Sequence, residues 1–110
     1  MYTMIRRYTI TPKGMLRTLS DDLRDTLLPT LRALPGFVSY QFIIGEGDEG
    51  ETAASISTFN TEAGVQESAR VSAEWVKTHT AGYTISAPHI SFGEATINTA
   101  TGAAASSYSP

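Results

Sequence analysis

Few side chains in this 110-residue sequence are suited to chemistry, and their placement narrows what that chemistry is. There is no cysteine, which removes thiolate nucleophiles, disulfides, zinc–thiolate and iron–sulfur sites. The two histidines, His79 and His89, have no third ligand or carboxylate at a supporting spacing, so no metal site is expected. Gly45, Gly47 and Gly50 match the dinucleotide fingerprint by letter. Their loop leads into a strand rather than a helix and carries Glu46, Asp48, Glu49 and Glu51, so it reads as a solvated hairpin turn. No Gly-x-Ser-x-Gly, His-Glu-x-x-His or phosphate-binding loop occurs. What remains is one tryptophan, Trp75, with His79 one helical turn later, and an Arg6-Arg7 pair inside an extended segment. Successive residues of a strand point to opposite faces, so one of the two arginines enters the interior or an interface. There it either pairs with Glu94 on the last strand or binds an anionic or phenolate ligand. Tyr8, Tyr40, His79 and Phe92 complete a candidate ligand-binding set, the tyrosines supplying hydroxyls to an apolar cavity.

The elements that position these groups follow from pattern. Residues 2 to 10 are rich in Tyr, Thr and Ile with a period near two, predicting a strand that ends at Thr11-Pro12-Lys13-Gly14. Leu16, Leu19, Leu23, Leu27, Leu31 and Leu34 recur at spacings averaging 3.6, one stripe of a helix that Pro29 should kink and Pro35-Gly36 should stop. Phe37 to Ile44 alternate as a strand, with Phe37, Ser39, Gln41 and Ile43 expected on its less apolar face. A hairpin loop follows, and Glu51 to Asn60 return as a third strand. Asn60 or Thr61 caps a helix running to about His79, and a last strand covers roughly His89 to Asn98 after the Ala87-Pro88 break.

Strand, helix, strand, strand, helix, strand is the α+β, ferredoxin-like βαββαβ order: a four-stranded antiparallel sheet with both helices on one face. The uncovered face is too apolar to leave in water, so a homodimer packed sheet to sheet is expected. Residues 1–99 form the domain and 100–110, small and polar apart from Tyr108, a flexible or partner-docked tail. Only 17% of residues are charged, and after Lys77 only Glu94 is ionised, as though this stretch were covered by a partner subunit. A net charge of −3 without a basic patch argues against nucleic acid. The opening residues lack the pattern of a secretory signal and no run suits a membrane span, so a cytoplasmic protein is expected.

Leu28-Pro29-Thr30-Leu31-Arg32-Ala33-Leu34-Pro35-Gly36-Phe37-Val38-Ser39-Tyr40, Ser57-Thr58-Phe59-Asn60-Thr61-Glu62-Ala63 and Ala73-Glu74-Trp75-Val76 together resemble the antibiotic biosynthesis monooxygenase group of the dimeric α/β barrel superfamily. The resemblance spans about residues 2 to 98 and implies a barrel of two sheets with a cavity between sheet and helices in each subunit. Members of the group include cofactor-independent oxygenases of aromatic polyketides and haem-degrading enzymes. In the oxygenases a neighbouring Asn and Trp are associated with substrate activation, which points to Asn60 and Trp75; the usual companion one turn before the Trp is here Val71. The haem degraders carry an Asn on the first strand, absent here, and a longer Trp-to-His separation than Trp75 to His79, which makes haem a minor alternative. The implied function is a monooxygenase of a small or polycyclic quinol- or anthrone-like aromatic, needing no cofactor, with Trp75, Asn60 and Arg6 as catalytic groups. The alternative is a non-catalytic ligand-binding or assembly module.

Overall fold

A computed structural model describes residues 1–11, 14–47, 50–99 and 103–104. The first strand, β1 (Tyr2–Thr11), is central: it pairs antiparallel with β3 (Gly50–Phe59) on one side, and β3 pairs in turn with β2 (Phe37–Gly47). On its other side β1 is shared end to end by two short strands, β4 (Thr84–Ile85) at its C-terminal end and β5 (His89–Glu94) over Tyr2 to Arg7. The expected break at Ala87-Pro88 separates them. The last strand is shorter than predicted, because the Ala95 N–H already bonds the Met1 carbonyl and β1 offers no partner beyond Tyr2. Ile97–Asn98 (β6) instead pairs with Ala103–Ala104 (β7); the rest of the tail, 100–102 and 105–110, lies outside the described residues.

The leucine stripe is helical and buried from Leu16 to Leu31, but not as one kinked α-helix. An α-helix, α1 (Leu16–Asp22), widens into a π-helical turn over Leu23–Leu27 and resumes as α2 (Leu28–Ala33). Proline lacks an N–H and crowds the carbonyl four residues back. The wider turn, in which the Leu28 N–H reaches the Leu23 carbonyl, absorbs Pro29 without losing the stripe. The second long helix, α3 (Glu62–His79), starts at Thr61, whose hydroxyl accepts from the Gly64 N–H at 3.0 Å. Asn60 does not cap it; its backbone N–H bonds the Gly36 carbonyl at 2.8 Å, and Gly36 turns the chain at φ 80°.

The helices pack over β1, β2 and β3 on one face. The core there is Ile10, the leucines, Ala53 and Trp75, continued by Met4, Phe59 and Val65. A β-bulge between Phe37 and Ser39 corrects one expectation: Phe37 turns to the helix side and meets Phe59 edge-on at 5.6 Å, leaving Ser39, Gln41 and Ile43 on the open face. All six residues of β5 are exposed, since the helices stop short of this flank.

Candidate functional site

Alternation along β1 sends Met4, Arg6, Tyr8 and Ile10 under the helices and Arg7 to the open face. Arg6 is half-buried, and its guanidinium donates to the Ala69 carbonyl of α3 at 3.4 Å. It also lies 5.8 Å from the centre of the Tyr8 ring. Its Nε is buried with no hydrogen-bond partner. The expected pairing with Glu94 is not made: the register sets Glu94 opposite Tyr2, whereas Arg6 faces Ile90 on β5 and Ser55 on β3. Among the described residues no carboxylate pairs with Arg6.

Two tyrosines flank this cation. Burial pushes the Tyr8 hydroxyl above its usual titration range, with the Arg6 charge opposing the shift. Tyr40 is pushed well above that range by burial and by Tyr8, against a hydrogen bond to Ser55 and the Arg6 charge. Both therefore remain protonated at neutral pH and act as hydrogen-bonding groups rather than bases.

Further along the same layer, Trp75 is buried and held at its N–H and on one ring face. Its indole N–H donates to Thr26 Oγ1 at 2.7 Å, and that hydroxyl donates to the Asp22 carbonyl at 2.6 Å. The His79 ring stacks on it, 4.5 Å between centroids and 12° from parallel, with Nδ1 3.0 Å from the Trp75 carbonyl oxygen. A ligand beside Trp75 thus meets carbon, not the N–H. The void there, bounded by Trp75, Tyr8, Tyr40, Leu23 and Phe42, measures about 30 Å³ and is apolar. That is the space of one water, far short of a haem.

The remaining sequence candidates sit apart. Asn60 is exposed at the opposite end of α3, about 20 Å along the helix axis from Trp75 at 1.5 Å per residue. Phe92 is on the exposed flank of β5, stacked on Tyr2 with centroids 6.3 Å apart. His79 is exposed and touches the site only through Trp75. The structure therefore brings together Arg6, Tyr8 and Tyr40, with Trp75 beyond the tyrosines. Thr26 and Ser55 escaped the sequence reading, because a lone hydroxyl off an apolar stripe carries no periodic signal. No group of three His, Asp or Glu that could hold a metal exists among the described residues.

No protein-family model matches the chain, and no curated protein matches it in sequence. Solved structures do match. The haem-degrader MhuD from Mycobacterium tuberculosis, with two haems bound in its active site, superposes with a TM-score of 0.64 at 14% identity over 89% of this chain and 98% of its own. A dimeric ferredoxin-like protein from an uncultured marine organism gives 0.64 at 13% over 84% and 91%. SnoaB, a cofactor-independent oxygenase from Streptomyces nogalater, gives 0.60 at 13% over 88% and 94%. The chain thus has the ferredoxin-like α+β fold that these proteins share, along nearly their full length.

Proposed function

We propose that the chain binds a small aromatic molecule carrying an ionised oxygen in the layer between sheet and α3, and oxidises it with dioxygen without flavin, haem or metal. One observation carries this reading: Arg6, a cation in the interior layer, has a buried Nε with no hydrogen-bond partner and no paired carboxylate among the described residues. A buried donor of this kind is costly unless something accepts from it, and a phenolate or enolate oxygen of a ligand would do so. The protonated Tyr8 and Tyr40 would add hydroxyl donors, and Trp75 a rigid carbon wall. An electron-rich oxyanion held this way supplies the electrons itself. For an anthrone, the ring CH₂ loses two hydrogens and gains one oxygen atom of O₂ as a carbonyl, while the other oxygen leaves as water. The likeness in fold to a cofactor-independent oxygenase supports the reaction class. A homodimer through the open sheet face is part of the same reading, supported by the dimeric ferredoxin-like neighbour and by the scarcity of charge after Lys77.

The 30 Å³ void favours a second reading, a non-catalytic binding or assembly module whose interior is filled by its own side chains. Oxygen uptake separates the two. With anthrones and hydroquinones the enzyme reading expects one O₂ consumed per anthrone, and turnover reduced at least about tenfold in Arg6→Met, the loss of one charged hydrogen bond. Absence of uptake with every such substrate would leave the binding module.

A further inference from the structure

We propose a second site, on the opposite face of the sheet, in which Arg7 and His89 hold a small-molecule oxyanion. It does not depend on the reading of the helix-side layer. Arg7 on β1 and His89 on β5 are direct cross-strand partners, and both side chains are exposed. Residues so paired have their Cβ atoms about 5 Å apart, close enough for both side chains to donate to one oxyanion. Among the described residues this face carries no carboxylate to accept from either side chain. Alternation and register put Ser39, Gln41, Ile43 and Gly45 of β2 on it, with Thr52, Ala54 and Ile56 of β3. Thr3, Ile5 and Thr9 of β1, Thr58 of β3, and Ser91 and Gly93 of β5 also lie on it, all uncharged, whereas Glu46, Glu51 and Glu94 fall on the helix side.

The pair opens onto a groove of about 540 Å³, within the usual range for small-ligand sites. Thr9, Thr52 and Ser86 contribute hydroxyls to its walls and Ile43 an apolar side chain that is 46% exposed. Ser86 Oγ accepts from the Thr9 N–H at 2.8 Å, which leaves its own proton free to donate into the groove. The Arg7 guanidinium, the His89 imidazole, three hydroxyls and an apolar wall, with no carboxylate among the described residues of this face, form a receptor for a carboxylate or phosphate joined to an apolar group. If a second copy closes over this face, the groove becomes internal to the dimer and the bound anion offsets the charges brought together there.

The test is a heteronuclear NMR titration of the full chain with inorganic phosphate and with benzoate, against chloride at equal ionic strength. The proposal expects saturable shifts at Arg7, His89 and Ser86, tighter for benzoate if the apolar wall takes part. Arg7→Gln and His89→Gln should each weaken binding about tenfold, while Arg70→Gln on the exposed face of α3 leaves it unchanged. Non-saturating shifts, equal losses in all three variants, or binding untouched by both Arg7→Gln and His89→Gln would overturn it. His89→Gln, at an exposed position, keeps the test decisive if Arg7→Gln does not fold.

Discussion

Trp75 shows what a single side chain is asked to do here. Its N–H is committed to Thr26 and one face to His79, so the indole is a fixed wall whose orientation depends on a hydroxyl from the π-helical turn. Replacing Thr26 by Val removes that acceptor and leaves an enclosed indole N–H unpaired. The expected loss is about 1–3 kcal/mol, read as a lower urea midpoint with an unchanged slope, together with an altered near-ultraviolet spectrum of the only tryptophan. Tyr40 makes a pH prediction. Its titration is raised in the folded state, so below pH ~10 the folded and unfolded chains both hold the proton and stability is unaffected. Above that pH the unfolded chain releases the proton first and stability falls, by up to about 1.4 kcal/mol per pH unit for one group. Tyr40→Phe should flatten this alkaline loss in urea titrations while leaving the neutral-pH profile level. At this scale the sequence named Arg6, Tyr8, Tyr40 and Trp75 but could not orient them. Alternation says that Arg6 and Arg7 point apart, yet only the contact with Ala69 tells which one is inside.

Elements were more legible than residues, because burial imposes a period and a period is visible. The leucine stripe, the Pro35-Gly36 stop and the hairpin between β2 and β3 all follow from it. Two local departures did not. The π-helical turn before Pro29 and the bulge after Phe37 each change the facing of neighbouring side chains while leaving the composition of the segment unremarkable. Close approach of α3 to β3 was also hidden in the sequence. A Cβ on Gly64 would come within 2.9 Å of the fully buried Phe59 ring, which is wedged against Phe37. Gly64→Ala should therefore destabilise by about 1–3 kcal/mol through overpacking, despite the roughly 1 kcal/mol of helix propensity that alanine brings. A chemical-denaturation midpoint equal to or above that of the unsubstituted chain would show that α3 stands further from the sheet.

The whole molecule is a sheet with two unlike faces. One is sealed by helices around an apolar core, with Arg6 at its polar edge; the other presents Arg7, His89 and Ile43 without cover. Its charge distribution, with nothing ionised after Lys77 but Glu94, is the reason to expect a second copy. Light scattering behind size exclusion should return twice the mass of one chain at micromolar concentration; a stable monomer would remove the dimer from the account. The central claim, however, is that Arg6 receives an oxyanion, and binding tests this more directly than turnover. In oxygen-free buffer, an anthrone titrated into the chain and followed by the fluorescence of Trp75 should bind saturably. Its affinity should fall at least about tenfold in Arg6→Met with the circular dichroism unchanged. An equal affinity in that variant, or no saturable binding to the unsubstituted chain, would contradict the claim.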